Sequence, residues 1–341
     1  MSDTPEIAMV ASVGVGDAAI YLIIAENLVR NGFKVSFYSN PISQLHAWLP
    51  QMTVKPYPIP EKRDAEFADY DLVLADSISI LGKPHFRPEQ FPELAEKYVY
   101  LGVGKVEKEL LADHSERLRA KLPPEKFNKL MNLCSCAGEI RFQNNCRDTT
   151  MVKNAVAFCS NVLKLKDCVP SSGFSPPKEL QLQKHRFDRR VLLHPFSSTP
   201  DKNWSLRKFF ALAAKLKAQG WNPVFTMSPT EREKLFLPFS DGGFEAPLFA
   251  SLSDFAAFIY ESKILIGNDS GSVNLASSLG IPTVTISRKG GLHRWRPDWT
   301  DSEVVSPFMR IKLPATAKRI WKPFVPVNRV YNAFVRLTER V

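Results

Sequence analysis

The sequence contains no apolar run close to the ~18 residues that a membrane-spanning helix requires. Its first residues, MSDTPE, are acidic where a signal peptide is basic, and the IAMVASV that follows is short and runs into a glycine turn. That run reads as a buried strand. Cysteine is sparse and odd in number, five in 341 residues, at positions 134, 136, 146, 159 and 168. An odd count in a long chain argues for a reducing compartment, so the cytoplasm is the expected location. Cys134 and Cys136 with Cys146 lack the spacing of a zinc site, and no metal-ligand set is read elsewhere. The chain also lacks a basic arm and the aromatic signature of an RNA-binding module, so nucleic acid is not an expected partner.

What is present suits a globular protein. Hydrophobic residues are 44% and charged residues 23%, enough apolar material for real cores. The length accommodates one large domain or, more naturally, two of ordinary size. A net charge of +10 favours a polyanionic partner, and leaves a phosphorylated small molecule and an anionic membrane surface both open.

Strand and helix periods alternate along the first third. Strand runs at 7–13, 34–38, 54–57, 71–75 and 98–102 are interleaved with helical patterns at 17–30 and 42–48. Such alternation implies right-handed crossovers and a parallel sheet. Residues 105–165 read as mostly helical and polar, and 166–188, rich in Pro, Ser and Lys, is the expected linker. Alternation then restarts, with strands at 190–194, 222–227, 263–266 and 283–286 and helices at 205–219, 230–237, 253–261 and 272–279. At the end, Val327, Val330, Tyr331, Phe334 and Val335 share one helical face, which would dock on protein or lie on a membrane surface. The expected architecture is α/β. Two doubly wound, Rossmann-like domains, 1–175 and 176–326, face a central cleft that collects their carboxyl-end loops, and 327–341 forms a terminal amphipathic helix.

The loops after the expected strands carry the chemistry. Gly14-Val-Gly16-Asp17-Ala-Ala19 satisfies the G-x-G-x-x-A dinucleotide fingerprint. The second strand, however, runs into Tyr38-Ser-Asn-Pro, without the carboxylate that a nicotinamide site needs about 20 residues on. Asp17 is either the N-cap of the first helix or a carboxylate placed to accept a proton from a hydroxyl. After the strand ending at His194, Ser197, Ser198 and Thr199 offer hydroxyls and N–H groups, and Lys202 offers a point charge for a phosphate; a solvated loop is the alternative. Glu231 either serves a helix N-terminus or accepts hydrogen bonds from a ribose. In IGNDSGSVNLASSLG, Gly271 permits close approach of backbone to a ligand, and the helix start favours an anion. Asp269 there has the wrong sign for phosphate and would orient a donor. The basic stretch from Arg288 and Lys289 to Arg294 could meet a diphosphate or an anionic acceptor. Asp69-Tyr-Asp71 matches a D-x-D pattern but opens an apolar strand, so it reads as structural.

Three segments, GVGDAAIYLIIAENLVRNGFKVSFYS, LLHPFSSTPDKNWSLRKFFALAAKL and SLSDFAAFIYESKILIGNDSGSVNLASSLGIPTVTIS, together resemble the ADP-heptose:lipopolysaccharide heptosyltransferases, glycosyltransferase family 9. The resemblance implies the two-Rossmann GT-B fold and an inverting transfer without a covalent intermediate or a tightly bound cofactor. It implies an ADP-sugar donor and an anionic lipopolysaccharide inner-core acceptor, met at the cytoplasmic face of the inner membrane. Asp17 matches the family's general base and Lys202 the lysine on the leaving diphosphate. Ser197 to Thr199 match the phosphate loop, Glu231 a nucleoside contact, and Asp269, Ser270 and Gly271 the donor-side loop. Two positions depart from the family pattern D-S-G-P-x-H-L-A and F-G-P-T-D. Ser272 replaces the Pro and Asn274 the His, and Ile286-Ser-Arg-Lys-Gly stands in place of the second motif. Both departures lie where the donor sugar and phosphates should sit. A nicotinamide-dependent oxidoreductase and a sugar-nucleotide binder without turnover are the competing expectations.

Overall fold

A computed structural model describes residues 4–76, 97–106, 115–143, 149–234, 243–288, 294–309, 311–312 and 319–341. The chain divides into two compact units, Met1–Ser175 and Pro176–Val341.

The first unit is built on a parallel sheet of β1 (Glu6–Val10), β2 (Lys34–Tyr38), β3 (Thr53–Lys55), β4 (Leu72–Asp76), β5 (Tyr98–Gly102) and β6 (Gly138–Glu139), in the order β3-β2-β1-β4-β5-β6. The apolar runs at β1, β4 and β5 are buried along their length, as strands covered on both faces must be. The first helix, Val15–Arg30, is apolar on nearly every side and correspondingly buried from Ala18 to Ala25. Its buried Asn27 is satisfied from outside the helix: Nδ2 donates to Val169 O at 2.9 Å and Oδ1 accepts from Val169 N at 2.9 Å. Asn31 repeats the arrangement with Lys166 (3.1 and 2.9 Å), and Ser172 Oγ donates to Ala19 O. Residues 166–175 therefore belong to the first unit. On the other side His185 N and Phe187 N donate to Tyr260 O and Glu261 O of the second unit. The expected linker of 166–188 shortens to the residues between these two anchors, because asparagine side chains bond irregular backbone that composition alone marks as free.

The second unit holds a five-stranded parallel sheet of β7 (Phe187–His194), β8 (Asn222–Phe225), β9 (Ser262–Asn268), β10 (Thr283–Ile286) and β11 (Ser302–Val305), in the order β11-β10-β9-β7-β8. Helices Leu206–Ala218, Pro229–Lys234, Leu252–Tyr260 and Gly271–Ser278 alternate with the strands. The helical pattern expected over 230–237 lies outside the described residues beyond 234.

The terminal helix, Val327–Thr338, is not a separate element. Val330, Ala333, Phe334 and Leu337 enter the core of the second unit, and Val327, Tyr331 and Val335 pack at its margin. Phe334 meets Trp221 edge-on at 5.0 Å, and Arg336 and Arg340 pair with Glu303 at 2.9 and 2.8 Å. Burial of each such apolar side chain contributes about 1.5–3 kcal/mol, so the face that could have lain on a membrane is committed to protein. Among the described residues, no helix is long and apolar enough to cross a membrane.

Candidate functional site

Strand order locates the candidate site before any side chain does. In the second unit the chain leaves β7 for β8 on one side, then returns to β9 on the other side of β7. The loops after β7 and β9 therefore diverge, and a crevice opens at their carboxyl ends. The loop after β7 carries Ser197, Ser198, Thr199 and Lys202; the loop after β9 carries Asp269, Ser270 and Gly271.

The structure brings these two loops together. Lys202 Nζ lies 3.0 Å from Asp269 Oδ2, with both side chains partly exposed. A pair so open adds little to stability. Its consequence is positional: the ammonium is held at the start of helix Gly271–Ser278, whose free N–H groups favour an anion. A single buried amide fixes the loops underneath. Asn268 Oδ1 accepts from Trp204 N at 2.8 Å, and its Nδ2 donates to Pro195 O at 2.6 Å. Ser197 Oγ lies 2.9 Å from Thr199 O and 2.7 Å from Asn203 Oδ1, closing the turn that ends in the short helix Pro200–Lys202. Ser198 and Thr199 are exposed at its tip. Gly267 is required by close approach, since a Cβ there would lie 2.9 Å from Val273 Cγ2 and 3.2 Å from His194 O.

A buried polar row backs this crevice. His194 Nδ1 is 3.1 Å from Thr226 Oγ1, and Nε2 is 3.1 Å from Ser272 Oγ. Burial pushes the His194 imidazole down to about 4, against the pull of the Glu231 charge. It is therefore neutral at neutral pH, with one ring nitrogen donating and the other accepting. Ser270 caps the helix with extended backbone but makes no cap bond, and its buried Oγ has no partner among the described residues. Asn274 Nδ2 donates back to Ser270 O at 3.2 Å. Glu231 is engaged in a capping box, accepting from Ser228 N at 2.8 Å while Ser228 Oγ accepts from Glu231 N at 3.2 Å. Arg288 approaches Asp201 at 3.9 Å. Arg294 is partly buried in the loop after β10, and Lys289, like Cys146, lies outside the described residues.

In the first unit the order reverses between β1 and β4, and Asp17 lies at that reversal. It is not the N-cap. Gly14 caps the helix with φ −82° and ψ 139°, and Asp17 is the third helical residue, where a carboxylate favours the positive end of the dipole. Neither Gly14 nor Gly16 adopts the left-handed backbone, and a Cβ on Gly14 would meet only Asp17 Oδ2, at 3.9 Å. One turn on, the buried Tyr21 hydroxyl donates to Asp76 Oδ1 at 2.5 Å, at the end of β4. Burial first, then the charge of Asp76, then that of Asp17 hold the Tyr21 phenol well above its ordinary value, so it remains a donor.

Sequence reasoning gave no site role to Asn268, His194, Thr226, Tyr21 and Asp76, and noted Ser272 only as a departure from the family pattern. The signal for three of them was a polar residue closing an apolar strand, as in RRVLLH, ILIGN and LVLAD. No group of His, Cys, Asp and Glu suited to a metal ion occurs among the described residues.

Comparison with known proteins follows the same lines. A search of curated proteins found no match to the chain. Among solved structures, a glycosyltransferase of family 9 from Veillonella parvula superposes with a TM-score of 0.63 at 16% identity, covering 100% of both chains. E. coli heptosyltransferase WaaC with ADP gives 0.63 at 14% identity, covering 97% of this chain and 99% of its own. E. coli ADP-heptose lipopolysaccharide heptosyltransferase II gives 0.62 at 15% identity, covering 98% and 100%. At such identities the likeness establishes the GT-B fold. The family model of glycosyltransferase family 9 (heptosyltransferase) matches residues 114–317, more than half of the sequence. The chain belongs to glycosyltransferase family 9, the heptosyltransferases, and is a glycosyltransferase of GT-B fold.

Proposed function

We propose that the protein transfers heptose, or a closely related sugar, from an ADP-sugar to an anionic lipopolysaccharide inner-core acceptor, with inversion at the anomeric carbon. The observation that carries this reading is Lys202 held 3.0 Å from Asp269 beside the start of helix Gly271–Ser278. A leaving diphosphate needs positive charge and N–H donors that are already in place, and this arrangement supplies both without reorganisation. WaaC, a structural relative, is solved with ADP.

In the reaction the acceptor oxygen attacks the anomeric carbon while Asp17 takes the hydroxyl proton. The bond from carbon to the diphosphate oxygen breaks, and its electron pair leaves on the diphosphate beside Lys202. Ser197, Ser198, Thr199, Ser270 and Gly271 hold the phosphates, and Glu231 would leave its capping partner to contact the nucleoside. Arg288, Lys289 and Arg294 add charge for the acceptor or the diphosphate. Gly14 and Gly16 keep the approach to Asp17 clear. The first unit thus serves the acceptor, and the second serves the donor.

A thermal-shift series of nucleoside diphosphates and their sugars tests this. ADP and ADP-sugars should raise the unfolding temperature more than their uridine and guanosine counterparts, with about 2.7 kcal/mol of stabilisation at 100 times the dissociation constant. A protein unmoved by every nucleoside diphosphate would overturn the reading.

A further inference from the structure

The cysteines of the first unit are not alike. Cys134, Cys136 and Cys159 are buried, whereas Cys168 is partly exposed. A thiol buried in apolar surroundings is inert, and one that small molecules reach can react. What sets Cys168 apart further is its neighbour. Cys159 lies in the last turn of helix Met151–Asn161, and the chain folds straight back over that helix end. Val162 N and Leu163 N both donate to Phe158 O, at 3.0 and 3.1 Å, and Leu165 N donates to Cys159 O at 3.0 Å. Leu165 O in turn lies 3.4 Å from Cys168 Sγ. The fold-back uses left-handed backbone at Lys164 (φ 57°) and Asp167 (φ 48°), a region that residues other than glycine enter at a cost. Asn31, bonded to both backbone groups of Lys166, and Asn27, bonded to both of Val169, hold the returning chain on either side of Cys168.

The two thiols thereby meet, and the Cys159 S–H donates to Cys168 Sγ. That bond is the main cause that brings the Cys168 thiol down to about 7, with the Arg30 charge helping and with burial and the Asp167 carboxylate opposing. The same bond, then burial, then the neighbouring Cys168 and Cys136 thiols hold Cys159 well above its ordinary value. Near neutral pH a reachable thiolate therefore sits beside a protonated, buried thiol. A nucleophilic cysteine poised next to a second, resolving cysteine is the arrangement that oxidation-sensitive sites require.

We propose that Cys168 and Cys159 form a reversible disulfide site for peroxide, with Cys168 attacking and Cys159 resolving. The Cys168 thiolate attacks one oxygen of hydrogen peroxide. The S–O bond forms as the O–O bond breaks, and the departing hydroxide takes up a proton and leaves as water. The Cys159 sulfur then attacks the sulfenic sulfur, and the sulfenic hydroxyl leaves as a second water with the Cys159 proton. Two thiols are oxidised to one disulfide, and one peroxide is reduced to two waters. A small-molecule thiol restores both cysteines by exchange, so the bond is transient in a reducing compartment. While present, it would pin the end of helix Met151–Asn161 to backbone held by helix Val15–Arg30, the helix that carries Asp17. The proposal does not rest on the donor, the acceptor or the transfer reaction.

Treatment of the reduced, full-length protein with hydrogen peroxide, followed by alkylation and peptide mass mapping, tests it. A peptide pair joining Cys159 to Cys168 is expected, and dithiothreitol should abolish it. Cys134 and Cys136 should be alkylated only after unfolding. The link should disappear in Cys168→Ser, a change at a partly exposed position. In Cys159→Ala, Cys168 should instead accumulate as a sulfenic acid that dimedone traps. The pH midpoint of Cys168 alkylation should lie near 7 in the parent and rise toward the ordinary ~8.5 in Cys159→Ala. If Cys159→Ala folds poorly, the link and the midpoint in the parent still read the site. No link between Cys159 and Cys168 in the peroxide-treated parent, a link to another cysteine in its place, or a parent midpoint at the ordinary value would overturn the proposal. The ADP response of the same preparations reports the donor site separately, so failure of one reading is distinguishable from failure of the other.

Discussion

The two units place comparable loops at comparable points of their sheets, yet they equip them differently. In the second unit, loops after β7 and β9 are knitted by Asn268, by the Lys202–Asp269 pair and by the His194 row into one bonded body. In the first, a single carboxylate, Asp17, sits on a helix whose next turn is clamped to β4 through Tyr21 and Asp76. On the proposed function, the contrast matches what each half would be asked to do. Stabilising a departing diphosphate requires several dipoles fixed in advance, whereas accepting one proton requires one group correctly aimed. The second unit is therefore expected to show losses in both binding and stability when altered, and the first to show losses in rate alone.

The largest effect should come from the first unit. Asp17→Asn is expected to lower kcat by roughly 10²–10⁴, the usual worth of a general base, while leaving the unfolding temperature within a degree or two of the parent. Steady-state kinetics on a transferring preparation check this. Next, Asn268→Ala removes an amide that satisfies two buried backbone groups. Denaturant unfolding should show a loss of about 2–4 kcal/mol, together with a weaker ADP response. The same substitution logic has no counterpart beside Asp17, which is how the contrast would be broken if both variants behaved alike.

His194 gives a smaller and pH-dependent signal. Its folded value of about 4 lies below the ordinary imidazole value of 6.5, so the unfolded chain takes up the proton first. Its contribution is complete above pH ~6.5 and is lost progressively as pH falls toward ~4, reaching about 2 kcal/mol near pH 5. His194→Gln should lose less stability than the parent between pH 7 and pH 5 in parallel denaturant titrations. Equal slopes would show that the imidazole is not buried in its neutral form. The smallest effect is expected at Asn274. Asn274→His restores the family residue and should shift donor preference by about tenfold or less, read as a change in relative affinity for ADP-heptose and other ADP-sugars.

How much of this was legible beforehand depends on the range of the interaction. The parallel strands were readable because apolar runs between helical patterns are local signals, and β2, β5 and β10 occupy the spans their periodicity marks. Lys202 and Asp269 were readable as loop residues after strands. Their ion pair was not, because it depends on the order in which β7 and β9 pair. Glu231 could have been assigned its capping role from Ser228 three residues earlier, a local pattern. The short edge strands β6 and β11 carry too few apolar residues to announce themselves. The true extent of the linker was hidden for the same reason as the Asn268 clamp. In both, a polar side chain satisfies backbone far away in sequence, at 142 residues for Asn27 with Val169 and 64 for Asn268 with Trp204.

The central claim is that the Lys202 loop of the second unit holds a nucleoside diphosphate, with Asp17 of the first unit reserved for the proton. Calorimetric titration of ADP into the parent, Lys202→Ala and Asp17→Asn tests that division most directly. The account predicts an affinity at least about tenfold weaker in Lys202→Ala and within about twofold of the parent in Asp17→Asn. Undiminished ADP binding by Lys202→Ala, or its loss in Asp17→Asn, would contradict it.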